Sequence, residues 1–111
     1  MVIGIDLVDV SRFEEFSSEQ LKKVFTKNEI SYCESKQNPL PHYAARFACK
    51  EAIFKAFSSL GIKLSYRKIE INNKESGLPY AKFMDQSINY IPKISMSHTR
   101  KMAIAIAMID I

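Results

Sequence analysis

The sequence predicts an α+β fold, an antiparallel sheet packed around one long central helix. Three observations carry that expectation. The longest helical stretch runs from about residue 42 to residue 60, and Gly61 closes it. The second half of the chain is a series of short β-branched runs separated by turn residues. The last run, 101–110, places Ala103, Ala105 and Ala107 on one face and Met102, Ile104, Ile106 and Met108 on the other. The alanine face lets a helix approach closely; the other face offers bulk. The 111 residues contain no repeat, low-complexity tract or Gly/Ser linker, which predicts a single domain, 1–111, with one core.

Taken in order, residues 2–10 (VIGIDLVDV) read as a buried strand. Ser11 is placed to cap a helix beginning just after it. Phe13, Phe16, Leu21 and Val24 recur irregularly, which predicts one broken helix or two short ones. Thr26-Lys27-Asn28-Glu29 fits a capping box and opens a helix to about residue 35. Pro39 and Pro41 are expected to break the chain before the long helix. Residues 66–72 and 79–84 read as a hairpin turning through 73–77, and 93–97 pairs with 101–110 as a second hairpin.

Composition narrows the function. A hydrophobic content of 47% argues against disorder. No apolar run is long enough to span a bilayer, and the N-terminus has no basic leader, so the expectation is a cytoplasmic protein with no membrane contact. Cys33 and Cys49 lack metal-site spacing and read as reduced thiols. Sixteen Lys and Arg against twelve Asp and Glu give a net charge of +4, which favours an anionic partner: nucleic acid, a phosphorylated cofactor or an acidic protein.

Two carboxylates sit where apolar residues belong. In the first strand Asp6 shares a face with Val2, Gly4, Val8 and Val10. In the long helix Glu51 has Phe47, Ala48 and Phe54 as its three- and four-residue neighbours. Buried acids are paired, protonated or bound to a metal. Two oxygen donors without Cys or His favour a hard cation, Mg²⁺ above all, with substrate phosphates completing its shell. Arg46, Lys50 and Lys55 on the same helix could hold such phosphates. The alternative is structural: Glu51 and Lys55 form an i,i+4 ion pair, and Asp6 pairs with an Arg or caps backbone. Ser95–Thr99, around His98, is either a phosphate-binding junction or a turn held by hydroxyl hydrogen bonds. There is no P-loop, G-x-G-x-x-G or G-x-S-x-G motif, and His42 reads as a surface residue.

Several segments together resemble holo-acyl-carrier-protein synthase, the small bacterial type of 4'-phosphopantetheinyl transferase. IGIDLVDVSRF at 3–13 resembles the family's opening strand, and FTKNEISYC at 25–33 its next helix start. RFACKEAIFKAF at 46–57 resembles the R-F-A-x-K-E-A-x-x-K-A motif. SGLPY at 76–80 resembles its N-G-x-P turn, and ISMSHT at 94–99 with the alanine-rich last strand its closing pair of strands. The resemblance covers nearly the whole chain. Departures are Val2 where a glycine is usual, Asp9 for glutamate, Ser58-Ser59-Leu60-Gly61 for a G-T-G loop near coenzyme A, and Leu78 for lysine.

The resemblance implies a 4'-phosphopantetheinyl transferase-like fold and a defined reaction. A serine of apo acyl carrier protein attacks the β-phosphate of coenzyme A, and adenosine 3',5'-bisphosphate leaves. It implies Mg²⁺ held by Asp6 and Glu51, with Lys55 acting on the leaving phosphate. Glu51 is the base, directly or through a metal-bound water. Arg46, Lys50, Lys55, His98 and Thr99 would bind coenzyme A. Arg12, Phe13, Phe16, Lys22, Lys23 and neighbouring Lys27 would meet the carrier. It also implies a homotrimer with coenzyme A between subunits, and a carrier from fatty-acid or polyketide synthesis. The rival expectations are a small basic nucleic-acid-binding domain, a Mg²⁺-dependent phosphodiesterase or nuclease, and a non-enzymatic interaction domain.

Overall fold

The computed structural model describes all of residues 1–111. Strand β1 (Val2–Asp9) runs into a 3-10 turn, Val10–Phe13. Two short helices come next, α1 (Ser18–Val24) and α2 (Lys27–Glu34), each opened by a complete capping box, Ser17 with Gln20 and Thr26 with Glu29. Thus the irregular apolar spacing of 11–24 resolves into a turn and one short helix. Ser17, not Ser11, supplies the cap.

The long helix α3 spans Pro39–Ser58. Pro39 and Pro41 lie inside its first turn rather than before it. An N–H missing there has no helical partner to lose, so proline starts the helix instead of breaking it. Past its end, Gly61 adopts φ +74° and its N–H bonds Ser58 O at 3.0 Å.

The other strands are β2 (Ile69–Asn73), β3 (Pro79–Phe83), β4 (Lys93–His98) and β5 (Met102–Ile109). They form two antiparallel sheets, a three-stranded one in the order β1-β5-β4 and the β2-β3 hairpin. The segment expected to begin the hairpin at residue 66 is instead a 3-10 turn, Tyr66–Lys68.

Small residues bring α3 onto the larger sheet. Gly4 pairs with Ala107, Asp6 with Ala105 and Val8 with Ala103, all on the helix side. A Cβ on Gly4 would sit 1.9 Å from the carbonyl oxygen of Ala52, so only glycine permits this approach. Ala52 and Ala56, whose backbone lies against Gly4, form the helix side of this seam, both buried. Asp6 therefore faces α3 by the same alternation that buries Gly4 and Val8. The opposite face of this sheet is apolar and open: Ile3, Ile5 and Leu7 are 55%, 54% and 60% exposed, and Ile104 40%.

Candidate active site

Asp6 on β1 meets α3 through Lys55. The Lys55 Nζ lies 3.1 Å from Asp6 Oδ1 and donates to the Ile5 carbonyl at 2.9 Å. The i,i+4 alternative, Lys55 with Glu51, is not the pair that forms. Glu51, one turn earlier, instead accepts a hydrogen bond at Oε1 from the Tyr66 hydroxyl. Burial first, and then the hydrogen bond to Glu51, push the Tyr66 phenol up to about 12. Asp6 and Arg12 also act on that phenol through space, Asp6 raising its pKa and Arg12 lowering it. Asp6, Arg12, Glu51, Lys55 and Tyr66 thus share one electrostatic neighbourhood at the edge between β1 and α3.

Two carboxylates face this place, and no group of three or more Asp, Glu, His or Cys side chains is arranged to hold a metal. Such a pair fits a hard divalent cation that keeps water and takes further oxygens from a substrate phosphate. The Lys55 ammonium on Asp6 shows that this carboxylate accepts a cation in the folded protein.

Lys50 is placed elsewhere. Its side chain is fully buried, and its ammonium donates to Glu29 Oε1 at 2.7 Å, Tyr66 O at 2.8 Å and Val24 O at 2.9 Å. All three donors are engaged, so none is left for a phosphate. The expectation that Lys50 binds coenzyme A fails on this geometry. Its partner Glu29 was legible only as a capping-box residue. It does cap, accepting from Thr26 N at 2.8 Å, and also accepts from Lys50 and from Ile71 N at 2.7 Å. Tyr66 was missed altogether, because in sequence it reads as the first residue of a strand.

A second polar cluster gathers at the other half of α3. The Arg46 guanidinium lies 3.9 Å from the centroid of the Tyr32 ring and donates to Asn73 Oδ1 at 2.6 Å. Its Nε is buried and has no partner. Lys36 Nζ is 4.6 Å from the same ring. The imidazoles of His42 and His98 approach to 5.1 Å. Burial lowers the pKa of His42, and the positive fields of His98, Lys36 and Arg46 lower it further. His42, read as a surface residue, is half-buried. Thr99 is committed to the β4–β5 turn: its Oγ1 accepts from Lys101 N at 3.2 Å and Met102 N at 3.1 Å. That is the turn alternative for the hydroxyl, while His98 stays exposed.

Among the expected carrier contacts, Arg12, Lys22 and Lys23 are exposed and Phe16 is half-buried. Phe13 is 3% exposed, with its ring 4.7 Å from Phe16, 5.5 Å from Phe47 and 6.1 Å from Phe25. It is a core residue and offers no face to a partner. Arg12 lies over the Phe47 ring at 4.7 Å, which ties this surface to the helix that carries Glu51.

Near the end of α3, a cleft of about 450 Å³ is lined by Phe54, Ser58, Gly61, Ile62, Lys63 and Leu64.

The chain as a whole is similar to known proteins. The chain is 39% identical over 115 residues to a holo-[acyl-carrier-protein] synthase from Chlorobaculum parvum, covering 99% of this chain and 98% of that protein. It is 40% identical to one from Thermodesulfovibrio yellowstonii, covering 96% of each. Two solved structures superimpose over 97% of this chain. One is the Bacillus anthracis holo-(acyl-carrier-protein) synthase in complex with CoA (3',5'-ADP), with TM-score 0.83, 28% identity and 94% of that chain covered. The other is the Helicobacter pylori enzyme in complex with coenzyme A, with TM-score 0.81, 29% identity and 99% covered. A family model described as the 4'-phosphopantetheinyl transferase superfamily matches residues 2–107, and this chain belongs to that family.

Proposed function

We propose that this chain transfers 4'-phosphopantetheine from coenzyme A to a serine of apo acyl carrier protein, with Mg²⁺ bound between Asp6 and Glu51. The observation that supports it most is the Asp6–Lys55 contact one helical turn from Glu51, in a chain that matches the family over nearly its whole length. The bond formed joins the serine oxygen to the β-phosphorus of coenzyme A. The bond broken is the pyrophosphate linkage, and adenosine 3',5'-bisphosphate departs. The serine proton passes to Glu51, directly or through a water. Lys55, half-exposed and held by one carboxylate and one carbonyl, is free to turn to the leaving phosphate and neutralise or protonate it. A bound Mg²⁺ would supply Lewis-acid polarisation of the phosphate oxygens.

The Arg46 guanidinium, with the imidazoles of His42 and His98 beside it, is suited to a second phosphate of coenzyme A. A buried guanidinium N–H with no partner is costly and is relieved when an acceptor arrives or the side chain shifts. Thr99 supports this site by shaping the turn beside His98. The cleft at 58–64 has room for part of the cofactor chain. His42 and Lys55 lie roughly 20 Å apart along the axis of α3 at about 1.5 Å per residue. The open apolar face of β1 and β5 is of a kind that oligomers cover. The open face is compatible with the homotrimer that the family resemblance implies, in which neighbouring copies share coenzyme A. Arg12, Lys22, Lys23 and Phe16 offer a basic, partly apolar surface for an acidic carrier, of fatty-acid or polyketide synthesis, in the cytoplasm. No helix is long and apolar enough to cross a membrane.

The test is the intact mass of apo acyl carrier protein after incubation with this protein, coenzyme A and Mg²⁺, with an EDTA control. A metal-dependent gain of one phosphopantetheine is expected. No gain with carriers from more than one pathway would overturn the reading.

A further inference from the structure

Tyr66 touches the candidate site but has no part in the proposed transfer chemistry. Its hydroxyl donates to Glu51 Oε1, and its own carbonyl oxygen accepts from Lys50 Nζ at 2.8 Å. Lys50 and Glu51 are consecutive on α3, so their side chains leave the helix in directions about 100° apart. Tyr66 meets both. Its backbone is fastened to the buried Lys50–Glu29 pair, and its hydroxyl reaches the open side. The ring is held as well, stacked on Phe47 at 5.7 Å and 23° and tilted against Phe54 at 5.0 Å. Neither end of this side chain is free to drift. A hydroxyl facing a carboxylate oxygen can only donate, so toward Glu51 it is a donor.

A carboxylate has two oxygens, and Tyr66 occupies one. We propose that Tyr66 is a positioning residue for Glu51: its hydroxyl caps Oε1, leaving Oε2 as the oxygen presented to a divalent cation and its bound phosphate. Mg²⁺ demands near-ideal octahedral geometry, which a carboxylate binding through one oxygen meets and a chelating one strains. A carboxylate oriented in advance also loses less freedom when it binds. The proposal rests on the reading of Glu51 as a metal ligand.

The experiment is a Mn²⁺ titration in the presence of coenzyme A, read as loss of the free-ion electron paramagnetic resonance signal, on the wild type, Tyr66→Phe and Glu51→Gln. Thermal unfolding is followed in parallel. Tyr66→Phe keeps both ring contacts and removes only the hydroxyl. It is expected to melt near the wild type and to bind Mn²⁺ about tenfold more weakly, the usual scale for losing a group that orients a ligand. Glu51→Gln should lose more. Wild-type affinity in Tyr66→Phe together with a loss in Glu51→Gln would overturn the role of Tyr66 and leave Glu51 a ligand. Wild-type affinity in Glu51→Gln would overturn the reading of Glu51 and the proposal with it. If Tyr66→Phe melts well below the wild type or does not fold, wild-type protein labelled with ¹³C at tyrosine Cζ decides. The Tyr66 resonance, assigned through its backbone, must shift when Mg²⁺ and coenzyme A are added. A resonance that stays in place would overturn the proposal.

Discussion

Helix α3 carries two lysine–carboxylate pairs with opposite surroundings. Lys50 and Glu29 meet at 2.7 Å with both side chains fully buried. Lys55 and Asp6 meet at 3.1 Å with their side chains 54% and 17% exposed. The closed pair has every lysine donor engaged and ties three places together: the end of α1 through Val24 O, the first strand of the hairpin through Glu29 and Ile71 N, and the turn at Tyr66. The open pair has one carboxylate and one carbonyl on a half-exposed lysine with one hydrogen left over. Breaking a buried pair strands a charge and costs about 3–5 kcal/mol, whereas a solvent-screened pair contributes about 0–1 kcal/mol. One pair is therefore scaffold. The other can come apart at little cost, which a lysine that must move between Asp6 and a phosphate requires.

The sharpest way to break this contrast is through activity. Glu51→Gln and Lys55→Ala should each lower transfer at least ~100-fold, the scale of losing a charge-stabilising group in a transition state. Lys55→Ala should unfold in urea within about 1 kcal/mol of the wild type. A Lys55→Ala protein with near-wild-type turnover would remove the open pair from the chemistry.

The next largest effect belongs to the closed pair. Lys50→Ala, which leaves Glu29 buried without its cation, should lose about 3–5 kcal/mol in urea unfolding. An unchanged midpoint would mean that the core relaxes around Glu29 and that the two pairs do not differ as described.

A smaller effect is expected at the rim. Arg12→Glu should raise the KM for the carrier several-fold and leave the KM for coenzyme A unchanged, since a rim charge acts on encounter with the partner. A shift in the coenzyme A KM alone would place Arg12 with the open pair instead of the carrier.

Alkaline titration sharpens the closed side. Burial above all pushes the thiols of Cys33 and Cys49 up to about 12, from an ordinary value of 9.0. A raised native pKa contributes stability that is intact below the unfolded value and lost as pH climbs to the native one. The urea midpoint should therefore fall between pH 9.0 and about 12. A Cys33→Ala, Cys49→Ala variant should flatten it. An equally steep fall in that variant would show that the thiols do not carry it.

How much of this was legible depended on how local each feature is. The Thr26–Glu29 capping box formed as written, because its hydrogen bonds close within four residues. Asp6 faces the helix because side-chain alternation along a strand needs no knowledge of the rest of the chain. Lys50 and Phe13 were placed wrongly for the converse reason. Residues 43–50 of α3 are buried without a break. A helix covered on every side has no polar face, so periodicity cannot tell a lysine that points to solvent from one that points inward. Phe13 and Phe16 are alike in sequence, and only packing against Phe25 and Phe47 separates the core ring from the half-exposed one.

The amino-acid sequence alone determined the capping box of α2, the course of α3 and of the strands to within a few residues, the alanine face of β5, and the side on which Asp6 would lie. These depend only on steric size and backbone periodicity over short spans. Tertiary structure decided which lysine pairs with which acid, and it brought Tyr66 onto Glu51 from fifteen residues away. Those choices depend on where chain-distant segments dock. Dehydration then separates two ion pairs of the same chemistry into one that holds the fold and one left open beside the site.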